Sequence, residues 1–211
     1  MWRVIKIYIK MRYLKLFENH QTEAEVAEIC KKNGIINWTL NSDGLVDVNA
    51  NVNLKYMKYL TDLPLKFGEV TGSFYCNRSV LTTLEGAPHT VGGNFDVEHN
   101  KLTSLEFSPK SVGGIFWCSY NNIRSFEGLV HISEDFYCKG NPLYNIWKII
   151  NPINDNAIFD QSERWDSEKM DFFNDLEIIR GEEIAIERLN FFLEEIGLDT
   201  VEEVKGYKNI Y

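Results

Sequence analysis

Phe74-Tyr75-Cys76, Phe95-Asp96-Val97, Phe116-Trp117-Cys118 and Phe136-Tyr137-Cys138 recur at intervals of 21, 21 and 20 residues. Each triplet is followed at a fixed offset by a polar residue, namely Ser79, Asn100, Asn121 and Asn141. Next comes an aliphatic residue (Leu81, Leu102, Ile123, Leu143), and then a further apolar one (Leu84, Leu105, Phe126, Ile146). The connecting segments repeat as well: Glu85-Gly86-Ala87-Pro88, Glu106-Phe107-Ser108-Pro109 and Glu127-Gly128-Leu129, with Val-Gly-Gly at 91–93 and again at 112–114. A degenerate earlier copy runs through Val52, Leu54, Leu60, Leu63-Pro64 and Val70. Self-similarity at a fixed period of this size marks stacked structural repeats.

An apolar-polar-apolar triplet reads as a short strand with two side chains inward and one outward. The Asn after each strand has the reach to bond the backbone of the neighbouring copy, forming a ladder where the chain leaves the sheet. Gly-Gly reads as a tight return. One copy cannot bury its own apolar face, whereas about three or more stacked copies can.

Residues Ile36 to Ile150 resemble the leucine-rich-repeat proteins common in tailed bacteriophages and their hosts. Leu63-Pro64-Leu65-Lys66-Phe67-Gly68 and Leu102-Thr103-Ser104-Leu105-Glu106 carry the match. The sequence departs from that pattern at Ser79, where the ladder Asn is missing, and at Phe107-Ser108, which replaces Gly-Ala. The first departure is expected to weaken one rung. The resemblance implies an α+β fold, a leucine-rich-repeat-like β-solenoid of about five coils with an N-terminal helix/hairpin cap and a C-terminal α-helical cap. It further implies a phage-encoded, non-catalytic scaffold that captures or inhibits a host protein, such as a defence component, in the host cytoplasm. A structural or internal virion protein is the alternative.

The ends support this organisation. Thr22-Glu23-Ala24-Glu25 has capping-box spacing and leads into Val26, Ile29 and Cys30, with Gly34 as a stop, so residues 22–33 are expected to be helical. Trp38-Thr39-Leu40 and Leu45-Val46-Asp47-Val48 flank Asn41-Ser42-Asp43-Gly44, the pattern of a β-hairpin. After Pro142 the spacing turns helical at Leu143, Ile146, Trp147 and Ile150. Ser167–Ile179 and Glu182–Ile196 are expected to continue as acidic amphipathic helices, the last stopped by Gly197. The expected division is a leader or tail at 1–20, the helix and hairpin cap at 21–51, the repeats at 52–146, and an acidic cap at 147–211. Met11 resembles a natural start, and Leu16-Phe17-Glu18 resembles the site cut by prohead proteases of large tailed phages, which would make Glu18 a processing site.

Composition narrows the function. The net charge of -9 is concentrated in residues 155–211, which hold 16 acidic and 6 basic residues, leaving the repeats close to neutral. A nucleic-acid binder needs a basic stripe to displace counterions, and the repeats offer none. No apolar run is long enough to span a bilayer. Cys30, Cys76, Cys118 and Cys138 form no CxxC pair, and no Cys/His grouping has zinc-ligand spacing, so neither metal nor cofactor is expected. His20, His89, His99 and His131 are scattered, and Val-Gly-Gly lacks the Lys-Ser/Thr of a phosphate loop. Nothing here points to catalysis.

The phase of the triplets instead singles out a surface. With Phe and Cys inward, Tyr75, Asp96, Trp117 and Tyr137 point outward from adjacent strands about 4.8 Å apart. The flanking outward positions are Ser73, Asn77, Asn94, Glu98, Ile115, Ser119, Asp135 and Lys139. Tyr and Trp carry much of the energy of protein interfaces. Tyr75, Asp96, Trp117 and Tyr137, with Asn77, Glu98, Ser119 and Lys139, are therefore the expected contacts for a protein partner.

Overall fold

The computed structural model describes residues 21–125, 128, 131–132, 135–150, 172–173 and 175–211. Glu18 and the rest of the expected leader lie outside the described residues, as do 151–171.

Helix α1 (Glu23–Asn33) starts where the sequence places it. Thr22 Oγ1 accepts the Glu25 N–H at 3.3 Å, and the Glu25 carboxylate accepts the Thr22 N–H at 2.7 Å. This reciprocal capping satisfies two orphan donors of the first turn. Gly34, at φ 66°, ends the helix, and Val26 and Cys30 face the core. Strands β1 (Trp38–Leu40) and β2 (Val46–Val48) form the expected antiparallel hairpin. Asn41 Oδ1 closes its turn by accepting the N–H groups of Asp43 and Leu45, both at 3.0 Å.

Each following repeat contributes two short strands. The triplets form β3 (Val52–Asn53), β5 (Phe74–Tyr75), β7 (Phe95–Asp96), β9 (Phe116–Trp117) and β11 (Phe136–Tyr137), paired in parallel with the aromatic positions in register. The segments between them form β4 (Phe67–Val70), β6 (Thr90–Val91), β8 (Ser111–Val112) and β10 (His131–Ile132). These add to the hairpin as a six-stranded sheet ordered β1-β2-β4-β6-β8-β10, parallel except for β1 against β2.

This arrangement corrects the expected α+β leucine-rich-repeat-like β-solenoid of about five coils. The described residues form one all-parallel sheet, one mixed sheet of six strands, a small third sheet and three short helices, with no closed solenoid. The misreading began at Val91-Gly92-Gly93 and Val112-Gly113-Gly114. Val91 and Val112 are buried strand residues, and none of the four glycines has a left-handed φ. The glycines are there for close approach: a β-carbon on Gly92 would lie 2.3 Å from Thr71 O, and one on Gly113 2.4 Å from Gly92 O.

Between the two sheets runs a column of fully buried rings, Phe67, Phe74, Phe95, Phe116 and Phe136, with successive centroids 5.2, 5.6, 5.0 and 5.5 Å apart. Burying each such side chain contributes roughly 1.5–3 kcal/mol. Cys76, Val97, Cys118 and Cys138 stack beside them at 0% exposure, as the inward phase requires.

The Asn ladder forms. Asn121 Nδ2 donates to Val97 O and Cys118 O, both at 2.9 Å, while its Oδ1 accepts the Leu102 N–H at 3.0 Å. Asn100 and Asn141 repeat the pattern. Ser79 makes a shorter version, donating to Leu54 O at 3.3 Å and accepting from Met57 N at 3.2 Å.

Helix α2 (Leu143–Ile150) follows the last triplet and buries Leu143, Ile146 and Ile150. Beyond it the structure departs from an all-helical ending. Glu182–Ile196 is not one helix, and Ser167–Ile179, of which 167–171 and 174 lie outside the described residues, does not stay helical to its end. Strand β12 (Ile179–Arg180) turns through Gly181-Glu182 into β13 (Glu183–Ala185), which pairs in parallel with β14 (Lys208–Ile210). Helix α3 (Ile186–Glu195) follows directly, and Gly197, at φ 74°, lies just past its end. The reason is the Gly-containing two-residue loop, a hairpin connection that outweighs the helical spacing around it. Arg124 fastens this sheet to the repeats: it donates to Gly206 O at 2.7 Å, pairs with Glu182 at 3.4 Å, and accepts the Tyr207 hydroxyl on its own carbonyl. Among the described residues no helix is long and apolar enough to cross a membrane.

Candidate functional site

The outer face of the five-stranded sheet is where the sequence-derived contacts meet. Parallel register places Asn53, Tyr75, Asp96, Trp117 and Tyr137 on successive strands. Trp117 and Tyr137 are half-buried and stacked, with centroids 6.2 Å apart and planes 22° apart. The Tyr137 hydroxyl donates to Asp135 Oδ2 at 3.2 Å, which fixes the outer edge of the stack. Tyr75 is half-buried, and Lys55 from the preceding repeat places its Nζ 3.9 Å from the ring centroid, a cation–π contact.

Two of the expected contacts are more deeply set than an open surface implies. Asp96 is only 8% exposed and Ser119 4%. Asp96 carries a short side chain between strands whose register partners are the larger Tyr75 and Trp117. Its Oδ1 accepts the Glu98 N–H at 3.1 Å. Burial, opposed by that bond, pushes its carboxyl up to about 6; the Glu98 carboxylate raises it further, while Lys55 and Arg78 pull it down. Glu98 and Asn77 are half-buried and Lys139 is exposed. Asn77 Oδ1 is buried and has no hydrogen-bond partner among the described residues.

Ser73 and Asn94, expected as flanking outward positions, serve the backbone. Ser73 Oγ accepts the Asn94 N–H at 3.0 Å, and Asn94 Oδ1 accepts the Ile115 N–H at 2.9 Å. Asn51 starts this second ladder by accepting the Ser73 N–H at 2.8 Å. These side chains hold adjacent strands in register.

A column beside the stripe was missed. Tyr56, Arg78, His99, Tyr120 and Gly140 all have left-handed φ, from 53° to 76°, each four residues after its strand begins. Tyr56 is 65% exposed and Tyr120 49%, and His99 stacks on Tyr120 with centroids 4.5 Å apart. The constant offset was the available signal, but a mix of Tyr, Arg, His and Gly shares no residue type to draw the eye.

Chemistry-bearing groups also lie away from this face among the described residues. Cys76, Cys118 and Cys138 are buried free thiols, and burial pushes each one up, Cys76 to about 12. No group of three or more potential metal ligands occurs among the described residues. A cleft of about 230 Å³ near β12 is lined by Arg180 and Arg188, but Glu177 pairs with both. No known protein family matches the chain, and neither curated proteins nor solved structures match it.

Proposed function

We propose that the protein is a non-catalytic binding scaffold that captures a protein partner on the outer face of its five-stranded sheet. The observation that carries this is the half-exposed Trp117–Tyr137 stack, aligned with Tyr75 along parallel strands whose register is held by two side-chain ladders. Large aromatics on a rigid backbone lose little entropy on binding, which is the character of an interface anchor. The resemblance of the repeat motifs to phage proteins directs the search to a host protein, a defence component among them.

The test is partner capture from host lysate by wild-type protein and by a Trp117→Ser/Tyr137→Ser double variant. The variant should lose the specific partner yet still unfold cooperatively at a moderately lowered temperature, since the half-buried pair contributes its partial burial plus about 0.5–1.5 kcal/mol of stacking. Capture that survives both substitutions would refute the proposal.

A further inference from the structure

We propose that Tyr75, Asp96 and Trp117 form a notch that seats one cationic side chain, arginine or lysine, from a basic segment of the protein partner. This rests on the sheet face being the partner surface, and it names the chemistry of the group received there.

The register sets the dimensions. Tyr75 and Trp117 pair on either side of Asp96, so their backbones are two strand spacings apart, about 9.6 Å. A cation seated over Asp96 therefore has an aromatic side chain on the strand to either side, the juxtaposition that cation–π attraction requires. The floor of that space is the Asp96 carboxylate, lower than its neighbours at 8% exposed. Its Oδ1 takes the Glu98 N–H, and among the described residues no donor bonds Oδ2. Lys55 and Arg78 act on Asp96 through space, but no ion pair reaches it among the described residues. Lys55 is engaged over the Tyr75 ring, evidence that this stripe already holds an ammonium group on an aromatic face.

An incoming cation would satisfy three features together. It would neutralise a partly desolvated carboxylate, add a second charge contact at half-buried Glu98, and lie between two aromatic rings. A neutral apolar group gains the rings alone and leaves the carboxylate worse solvated, so the notch discriminates against it. The position of the notch at the centre of the five-strand sheet, with Asn53 and Tyr137 at its ends, matches where interface anchors concentrate.

The probes are acetyl-Gly-X-Gly-amide peptides with X as arginine, lysine or citrulline, titrated into the full chain while following the Trp117 indole N–H by NMR. Arginine and lysine peptides should give saturable shifts, with citrulline at least tenfold weaker. Asp96→Asn should weaken the arginine peptide at least tenfold, and Glu98→Gln should weaken it less. Glu106→Gln, at an exposed carboxylate in a connecting segment off the stripe, should leave it unchanged. Affinity should also fall as pH drops through about 6, where Asp96 takes up its proton; the charged groups facing it are Glu98, Lys55 and Arg78. Equal binding of citrulline, or no loss in Asp96→Asn, overturns the inference. Failure of all three peptides overturns it too, even where capture of the partner still depends on Trp117 and Tyr137. Conversely, charge-selective peptide binding with capture indifferent to those aromatics leaves the notch intact and removes the sheet-face function.

Discussion

Gly114 and Asn94 compete for one space: a β-carbon on Gly114 would lie 2.3 Å from Asn94 Oδ1, the atom that accepts the Ile115 N–H. Gly93 and Ser73 stand in the same relation one repeat earlier, at 2.4 Å. The second glycine of each Gly-Gly pair therefore makes room for the hydrogen bond that sets register between repeats. The first glycine sits against a backbone carbonyl that cannot move aside.

Gly113→Ala should accordingly be costly. Its methyl would meet Gly92 O at 2.4 Å, and relieving that clash means parting two strands, at about 2–3 kcal/mol. Gly197→Ala is the contrast: nothing lies within 4 Å, and only the left-handed φ of 74° is penalised, at about 1 kcal/mol. Urea unfolding midpoints of the two variants should rank in that order.

Asn121→Ala strips the Leu102 N–H and the carbonyls of Val97 and Cys118 of a side-chain partner at once. The Leu102 N–H is left unsatisfied, while Asn100 still donates to Val97 O and Asn141 to Cys118 O, so the expected loss is about 2 kcal/mol. Ser79→Ala removes two longer bonds and should cost about 1 kcal/mol. Comparable losses in denaturant unfolding would show that the ladder is not what separates these positions.

Phe107 stands at φ 64° in the place held by Gly86 and Gly128 in the flanking repeats, both also left-handed, and it is 53% exposed. An L-residue pays roughly 1–2 kcal/mol there, partly offset by the greater chain entropy of unfolded glycine. Phe107→Gly should therefore raise the melting temperature, by a net gain of about 1 kcal/mol. A lowered melting temperature would show that the ring makes contacts worth more than the strain.

Asp96 gives stability a pH dependence with a definite sign. Burial raises its folded pKa to about 6, above the unfolded aspartate range. The folded chain thus holds that proton more tightly. Its contribution is fully present below about pH 4 and is lost as pH rises toward 6, on the order of 2–3 kcal/mol across the window. Asp96→Asn keeps an acceptor for the Glu98 N–H but cannot ionise. It should be more stable than wild type at pH 7, with the difference closing below about pH 4.

Burial and raised thiol pKa values make the cysteines unreactive in the native protein. Iodoacetamide at pH 8 followed by intact mass should add no label to Cys30, Cys76, Cys118 or Cys138 until denaturant is present. Rapid native labelling of Cys118 would place that column at the surface and reverse the inward phase.

Much of the fold was legible in the chain because its causes are local or periodic. The capping box at Thr22 and Glu25 lies within one helical turn. The hairpin around Asn41–Gly44 is closed by a side chain bonding its own loop. The Phe column, the Cys/Val column and the Asn ladder follow from residues repeated at a constant offset, and period 2 alternation puts Tyr75, Trp117 and Tyr137 on the opposite face from the rings that become core. The C-terminal sheet was obscured because Gly181-Glu182 interrupts a helical spacing with a turn only two residues long.

What the sequence determined by itself is the repeat, its phase and the aromatic stripe, since each depends on a pattern within a single chain segment. What only the tertiary structure decided is how neighbouring repeats meet. Val91 and Val112 become strands of a second sheet, Gly92 and Gly113 turn out to be contact points, and Asp96 is buried between the strands of Tyr75 and Trp117. Those outcomes rest on atoms about 21 residues away in sequence and one strand spacing away in space. A side chain's burial is set by the neighbours it packs against, and Asp96 stands between strands that carry Tyr75 and Trp117 in register with it.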